Sequence, residues 1–358
     1  MDRREFLKST GGLTGVALTG LAANSLGGRA AWAGGGAAPA SAPTSAPAEP
    51  AAPLFEGQPS AEPITPNTTP EAKAVLKYIQ QVFGKKILAA QHGGVLTRAE
   101  YVFSVTGKYP AIWGTDLINR NGDDRNFAFV TDVWKRGAIP TVMWHWGAPT
   151  LGDGYEQSKG KIDVNQCFIE GTPENKAMWV DLKSRADFLT RLRDAKVPVL
   201  WRPYHECSGG WFWWDKSGGE PFKKLWKTMY DYFTKERGLN NLLWVLGFCG
   251  TPKPTYYTGE GTYDILGGDI YAKAGPYADL YGKVKTIGGG TKTPICLHEC
   301  GVPPVPEQCQ EAKALWSWFM VWDSFIQGVD KTLLKSIYAS DLTITLDKLP
   351  KWADLIGK

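Results

Sequence analysis

Two glutamates in this sequence, Glu206 and Glu299, each directly follow a histidine, within the stretches WRPYHECSGG (201–210) and ICLHECG (295–301). A pair of carboxyl groups can cleave a glycosidic bond, because one protonates the leaving oxygen while the other attacks the anomeric carbon. Partly apolar, aromatic surroundings such as the WFWW run at 211–214 disfavour the charged form of a carboxyl group, which raises its pKa and suits it to proton donation. Glu206 is therefore a candidate acid, provided that the fold brings both glutamates to one site.

The elements that must position these glutamates are short, β-favouring apolar runs that alternate with segments of helical periodicity. Eight such runs are present: KILAAQ (86–91), AIWGTD (111–116), IPTVMWHW (139–146), VPVLWRPYHE (197–206), LLWVLGF (242–248), ILGGDIY (265–271), PICLHE (294–299) and WFMVW (318–322). Eight strands that alternate with helices over about 280 residues predict an α/β fold of the (β/α)8 TIM-barrel type. A doubly wound open sheet is the alternative, but no dinucleotide or P-loop glycine motif follows the first run, which argues against a nucleotide-binding sheet.

The polar residues of the predicted barrel fall where its strands end. All four histidines of the chain belong to this strand-end set, which includes His92, Asp116, His145, His205, Glu206, Asp269, Tyr271, His298 and Glu299. The chemistry of such barrels takes place at the C-terminal ends of the strands, whereas a packed core gives no reason for this placement. The pattern predicts that Glu206 and Glu299 face each other across the barrel mouth.

The fourth-strand region carries a resemblance to a known family. WRPYHE followed by GGWFWW resembles the signature of glycoside hydrolase family 26, which is best known for endo-β-1,4-mannanases. Weaker matches follow in the family's order and extend the resemblance over roughly residues 75–350: KILAAQHG, YPAIWGTD, GAIPTVMWHW, GGDIY, WFMVW and ITLDKLP. The resemblance implies a TIM-barrel mannan endo-1,4-β-mannosidase that cleaves mannan-type polysaccharides by retaining double displacement, with Glu206 as acid/base and Glu299 as nucleophile.

The same resemblance implies a set of substrate-binding residues. Arg202 and Tyr271 are implied to hydrogen-bond the nucleophile, and an arginine suits this role because its permanent charge lowers the pKa of a neighbouring carboxyl group. His205 is implied to contact the substrate or the acid/base, and Trp322 to form the floor beneath the sugar next to the cleaved bond. Neighbouring sugar sites are implied to be lined by four further residues: His145, Trp146, Trp211 and Trp214.

The sequence departs from the family pattern at three places. Cys207-Ser208 follows the acid/base where Met-Asn is common, Asp215 follows the WFWW run where glycine is usual, and His298 before the nucleophile is unfamiliar. Both candidate catalytic glutamates are present, but these departures weaken any prediction of which sugar the site accepts. The family also includes enzymes that act on β-1,3-xylan and on mixed-linkage β-glucan, so a β-xylanase or β-glucanase remains an alternative.

Two functions outside this family fit parts of the pattern. A metal-dependent barrel hydrolase would also gather histidines at strand ends, but it usually needs two of them close together on one strand, and each strand end here carries one. A catalytically inactive sugar-binding barrel would keep the aromatic cleft but would not need both Glu206 and Glu299. We therefore expect a glycoside hydrolase that uses no metal and no cofactor.

The first 33 residues have the features of a targeting sequence. Paired arginines in MDRREFLKS precede a moderately apolar run and a small-residue site, AWA (31–33), which resembles a twin-arginine export signal; an ordinary signal peptide is the alternative. We expect an exported protein, periplasmic or secreted, with an Ala/Pro-rich disordered linker at 34–69 and the catalytic barrel at 70–358. No other apolar run reaches the ~20 residues that a membrane span needs.

The composition limits the class of partner. The predicted signal holds four of the 40 basic and two of the 36 acidic residues, so the remaining chain has a net charge of +2 and lacks the basic excess of a nucleic-acid-binding protein. The 16 tryptophans suit a surface that grips flat, half-apolar sugar rings. We expect a monomer whose partner is a polysaccharide or oligosaccharide. Six cysteines permit three disulfides in any of fifteen pairings, and buried free thiols fit equally well.

Overall fold

Eight parallel strands close into a barrel in the computed structural model of the protein, which describes residues 62–94, 96–290 and 293–356. The strands are β1 (Ile87–His92), β2 (Ile112–Asp116), β3 (Ile139–Met143), β4 (Val199–Arg202), β5 (Leu242–Phe248), β6 (Ile265–Ile270), β7 (Ile295–Cys300) and β8 (Trp318–Val321). Each strand pairs with the next along the chain, and β1 pairs with both β2 and β8, which closes the ring. The predicted (β/α)8 barrel is confirmed.

Helices flank the strands on the outside of the ring, except between β5 and β6, where a 3-10 turn (Pro254–Tyr256) lies instead. They are α1 (Pro70–Val82), α2 (Leu96–Thr106), α3 (Asp123–Lys135), α4 (Tyr155–Ser158), α5 (Pro173–Asp194), α6 (Gly219–Asp231), α7 (Ala278–Ile287), α8 (Pro306–Glu311) and α9 (Lys331–Ala339). The first helix begins at Pro70, because the Thr69 side chain accepts the backbone N–H of Ala72 and proline is favoured in the first turn. Thr172 caps α5 in the same manner.

A two-residue ninth strand, β9 (Thr343–Ile344), pairs in parallel with the start of β1. This strand is not predictable from the sequence, because two residues show no alternation of apolar and polar side chains.

Buried apolar side chains fill the lower part of the barrel interior. Residues that point inward from alternate positions of the strands are fully or almost fully buried, among them Leu88, Ala90, Leu200, Leu243, Val245, Ile265, Cys296, Trp318 and Met320. The interior is therefore a packed core and not a channel. The polar strand-end residues lie above this core, at the mouth formed by the C-terminal ends of the strands.

Residues 62–69 run across the outside of the barrel towards α1. The Ile64 N–H donates to Asp264 Oδ1 at 2.8 Å, and the Tyr230 hydroxyl donates to the Ile64 carbonyl at 2.9 Å. Thr65 is buried and donates its hydroxyl to the Leu242 carbonyl at 3.2 Å. These contacts hold the end of the predicted linker against β5 and β6. The predicted signal at 1–33 and linker residues 34–61 lie outside the described residues, and both stay predictions.

All six cysteines fall within the described residues, and each is buried with a free thiol. Burial raises the pKa of Cys167 and of Cys309 to about 12, so these two thiols remain protonated at neutral pH. The structure therefore gives the thiols a packing role, the second of the two alternatives that the sequence leaves open. Among the described helices, none is both long and apolar enough to cross a membrane.

Candidate active site

Strand β4 ends in a strained turn that carries Glu206 to the barrel mouth. Three residues that are not glycine adopt left-handed backbone angles here: Tyr204 at φ 49°, Glu206 at φ 53° and Ser208 at φ 74°. The turn is fixed to β5, because the Cys207 N–H donates to the Gly247 carbonyl at 3.0 Å and the Cys249 N–H donates back to the Cys207 carbonyl at 3.1 Å. Left-handed backbone at such residues costs energy and persists where the surrounding structure enforces it, often at functional sites.

Glu206 itself is held by the indole of Trp211. The Trp211 Nε1–H donates to Glu206 Oε2 at 2.8 Å, and the Glu206 side chain is almost fully buried. The indole can lie there because Gly209 has no side chain; a Cβ on Gly209 would come within 2.5 Å of the Trp211 ring. Since Oε2 accepts this bond, Oε1 is the oxygen better placed to carry a proton.

Asp215 closes the loop that carries Trp211. Its Oδ2 accepts the Gly210 N–H at 2.7 Å, and its carbonyl accepts the Tyr256 hydroxyl at 2.7 Å. Burial raises the pKa of Asp215 to about 6, and the backbone N–H groups of the loop act in the opposite sense. Asp215, which stands where the family usually has glycine, therefore anchors this turn through its side chain and its carbonyl.

A β-bulge in β7 brings two successive side chains towards the barrel axis. Leu297 is paired with Gly268 of β6, but the next pairing joins Glu299 to Asp269, which leaves His298 as the extra residue. The pairing of β7 with β8 shifts in the same segment. A regular strand would point neighbouring side chains to opposite faces, whereas the bulge lets His298 and Glu299 share one.

Glu299 is buried and has two partners at the positions that the sequence predicts. The Tyr271 hydroxyl donates to Glu299 Oε2 at 2.8 Å, and Arg202 Nη1 lies 3.9 Å from Oε1. Burial lowers the pKa of Arg202, while the charges of Glu299 and Asp269 oppose that effect. A guanidinium remains charged under these conditions, so it supplies the positive charge that faces Glu299.

A chain of three polar side chains leads from β2 to the residue before Glu206. The Asp116 carboxylate accepts the His145 backbone N–H at 2.9 Å and also contacts His145 Nδ1, while His145 Nε2 lies 3.1 Å from His205 Nε2. Burial raises the pKa of Asp116, but His145 outweighs this effect and holds that pKa below its usual value. Asp116 was not predicted as a site residue. Its position at the end of a predicted strand could have identified it as one.

Trp322 forms one wall of the mouth. Its ring stacks on His92 with a centroid distance of 4.1 Å and an interplanar angle of 9°, and His145 meets it edge-on at 5.7 Å. Tyr271 and Phe325 pack beside it. The structure thus brings together His145, His205, Arg202, Tyr271, Trp211 and Trp322 around the two glutamates, which is the greater part of the predicted set.

The structure places Trp146 and Trp214 in the packed layer behind the mouth. Trp146 is 1% exposed, stacks on Trp144 and donates its Nε1–H to Asp181 at 2.7 Å. Trp214 is fully buried and donates its Nε1–H to the His205 carbonyl at 3.1 Å. Both indoles support the site residues instead of lining an open cleft. Phe212, which packs against His145 and His205, was not predicted as a site residue.

One group of side chains in the site could in principle hold a metal ion. Asp269, His298 and Glu299 place potential ligand atoms within 4.8 Å of one another. The guanidinium of Arg202 occupies the same place, with Nη1 at 3.3 Å from His298 Nδ1 and 3.9 Å from Glu299 Oε1. A divalent cation would lie next to this permanent positive charge, so the donor set does not fit a metal site.

Comparison with known proteins gives a consistent result. The sequence profile of glycosyl hydrolase family 26 matches residues 64–348. A mannan endo-1,4-beta-mannosidase of Thermothelomyces thermophilus is 36% identical over 327 residues, which cover 85% of this chain and 67% of the relative. Mannan endo-1,4-beta-mannosidase B of Piromyces sp. is 30% identical over 81% of this chain, and the chain spans 54% of that relative's length.

Solved structures show the same likeness. The Podospora anserina GH26-CBM35 β-(1,4)-mannanase superimposes with a TM-score of 0.76 at 32% identity, over 85% of this chain and 72% of the other. A β-mannanase from a symbiotic protist of the termite Reticulitermes speratus, complexed with a gluco-manno-oligosaccharide, gives a TM-score of 0.74 at 34% identity, over 83% of this chain and all of the other.

Proposed function

The chain belongs to glycosyl hydrolase family 26, and from this premise we propose that it is a retaining endo-β-1,4-mannanase in which Glu206 is the acid/base and Glu299 the nucleophile. The family prediction made from the sequence is confirmed, and with it the enzyme class, a glycoside hydrolase. The observation that carries the mechanistic proposal is the different environment of the two carboxyl groups. Glu299 faces an arginine and a tyrosine, whereas Glu206 accepts the N–H of an indole.

In the first step Glu299 attacks the anomeric carbon and forms a glycosyl-enzyme intermediate. Attack requires the carboxylate form, which the positive charge of Arg202 favours. Tyr271 binds Oε2 at 2.8 Å and so orients the carboxylate with Oε1 towards the arginine. As negative charge leaves Glu299 in the transition state, these two donors fix its position and limit the reorganisation that the step needs.

Glu206 protonates the departing glycosidic oxygen and then removes a proton from the water that hydrolyses the intermediate. We assign the transferred proton to Oε1, since the Trp211 N–H is directed at Oε2. The ring stacked on His92, Trp322, offers an aromatic face on which a sugar can rest beside Glu299.

Replacing Trp211 with phenylalanine tests how the acid/base is held. We expect kcat/KM on mannan oligosaccharides to fall roughly tenfold, because the aromatic ring stays but the hydrogen bond that holds the Glu206 carboxyl group is lost. Trp179→Phe is the matched control, since Trp179 on α5 is 39% exposed and lies outside the described site. Equal kcat/KM values for the two variants would contradict a role of the Trp211 N–H in holding Glu206.

The substrate class is the finer part of the proposal, and a digest of four polysaccharides tests it. Mannan and glucomannan should be cut, and early products should be a mixture of oligosaccharides, as internal cleavage requires. Xylan and mixed-linkage β-glucan serve as the alternatives within the family. Faster hydrolysis of either of these two would overturn the assignment to mannan, and release of single sugars from the start would overturn internal cleavage.

A further inference from the structure

His298 directly precedes Glu299 and is fully buried, and the proposed mechanism gives it no task. We propose that His298 is a positioning residue that keeps its neighbour Asp269 protonated, so that Glu299 carries the negative charge opposite Arg202. This inference rests on the proposed function, in which an ionised Glu299 is the nucleophile.

The fold builds a niche for the His298 side chain. His298 is fully buried, and it is the extra residue of the β7 bulge. Two glycines on neighbouring strands make the space: a Cβ on Gly247 of β5 would lie 2.8 Å from His298 Nε2, and a Cβ on Gly267 of β6 would lie 2.9 Å from His298 Cβ. A larger side chain at either glycine would displace the imidazole.

The partners of Nδ1 determine which form of the imidazole is present. Arg202 Nη1 donates to the His298 carbonyl at 2.9 Å and lies 3.3 Å from His298 Nδ1. A guanidinium has hydrogen-bond donors but no acceptor, so Nδ1 must offer it a lone pair. The proton of the neutral ring is then on Nε2, and His298 is an acceptor on the side that faces Arg202.

Asp269 Oδ1 lies 2.8 Å from the same Nδ1. Two unprotonated acceptors at this distance would repel each other, so we assign the proton to the Asp269 carboxyl group, whose O–H shares the single lone pair of Nδ1 with the Arg202 N–H. The electrostatic surroundings agree with this assignment. Burial and the charges of Glu299 and Glu206 raise the pKa of Asp269 well above its usual value, while burial, Arg202 and His92 lower the pKa of His298 well below its own.

The neutral pair matters because Asp269 and Glu299 are directly paired across β6 and β7. Two carboxylates at this spacing would compete for Arg202, and the second negative charge would favour protonation of Glu299. With Asp269 protonated and His298 neutral, the only charged groups of this cluster are Arg202 and Glu299, which form one ion pair. The Cys296 thiol below them stays neutral, since burial raises its pKa well above the usual value.

Two substitutions of His298 separate its hydrogen-bonding role from its packing role. His298→Leu fills the niche but removes the acceptor, whereas His298→Asn keeps an acceptor near the position of Nδ1. For His298→Leu we expect the acid limb of the kcat/KM profile on mannan oligosaccharides to move up by about one pH unit, which is roughly a tenfold loss on that limb and little change near the optimum. His298→Asn should keep the wild-type acid limb.

The same comparison in an Asp269→Asn background tests whether Asp269 causes the shift of the acid limb. There the His298→Leu shift should disappear, because no carboxyl group remains at position 269 to ionise. A uniform loss at every pH, an unchanged acid limb in His298→Leu, or a shift that persists in the Asp269→Asn background would each overturn the inference. If Glu299 were not the nucleophile, a Glu299 variant would keep full activity. Failure of the proposed function can therefore be distinguished from failure of this inference about His298.

Infrared spectroscopy gives a test that does not depend on the folding of the leucine variant. The difference spectrum between the wild type and Asp269→Asn, recorded at the pH optimum, should contain the C=O band of a protonated carboxyl group. A difference spectrum with carboxylate bands alone would overturn the proposal.

Discussion

Replacing Glu299 with alanine should lower kcat on mannan by roughly 10⁴-fold or more, because no covalent intermediate can form without the nucleophile. Added azide should restore part of the turnover, since a small anion can enter the space that the side chain leaves. The product of that reaction should be an α-glycosyl azide, because a single displacement inverts the anomeric centre.

The control for this variant is Glu311→Ala, which removes an exposed glutamate at the end of α8. It should keep full activity and the same thermal stability. Turnover of Glu299→Ala within a few-fold of the wild type, with the folding of both variants verified, would contradict the role of Glu299.

Replacing Glu206 with alanine should produce a loss that depends on the leaving group. On mannan we expect kcat to fall by roughly 10²- to 10⁴-fold, because the glycosidic oxygen departs without a proton. An aryl mannobioside with a strongly acidic phenol needs no such protonation, so its first step should be nearly unaffected. Azide should then give a β-glycosyl azide, the product of two successive inversions.

Glu220→Ala is the matched control, since Glu220 is an exposed glutamate in the first turn of α6. A Glu206→Ala variant that loses the same factor on mannan and on the activated substrate would contradict its role as acid. An α-glycosyl azide from this variant would show that the roles of the two glutamates are the reverse of those proposed.

The barrel was predictable because its signal is local. Each strand is a short apolar run, and the run LLWVLGF coincides with β5 at both ends. Strand β4 is shorter than the run that predicted it, because Pro203 and the strained turn at Tyr204 and Glu206 end the pairing after Arg202. Strand ends also carry polar residues in a barrel, which is why both glutamates could be named from the sequence.

The finer arrangement of the site was less predictable, because it depends on contacts between strands. An indole has the same apolar faces whether it packs in a core or beneath a sugar, so the sequence could not assign Trp146 and Trp214 to the layer behind the mouth. The contact of Asp116 with His145 exists because β2 and β3 are neighbours in register. The β7 bulge, which turns His298 and Glu299 to one face, follows from pairing with β6 and leaves no mark in the residue pattern.

The central claim, that Glu299 attacks the sugar, is tested most directly by trapping the intermediate with a 2-deoxy-2-fluoro-β-mannosyl or mannobiosyl fluoride. Fluorine at C2 slows both steps, and the fluoride leaving group lets the first proceed, so a glycosyl-enzyme should accumulate. Peptide mapping should then find the added mass on the tryptic peptide 293–313, and fragmentation should assign it to Glu299. An adduct on Glu206, or turnover without an adduct and with an inverted product, would contradict the account.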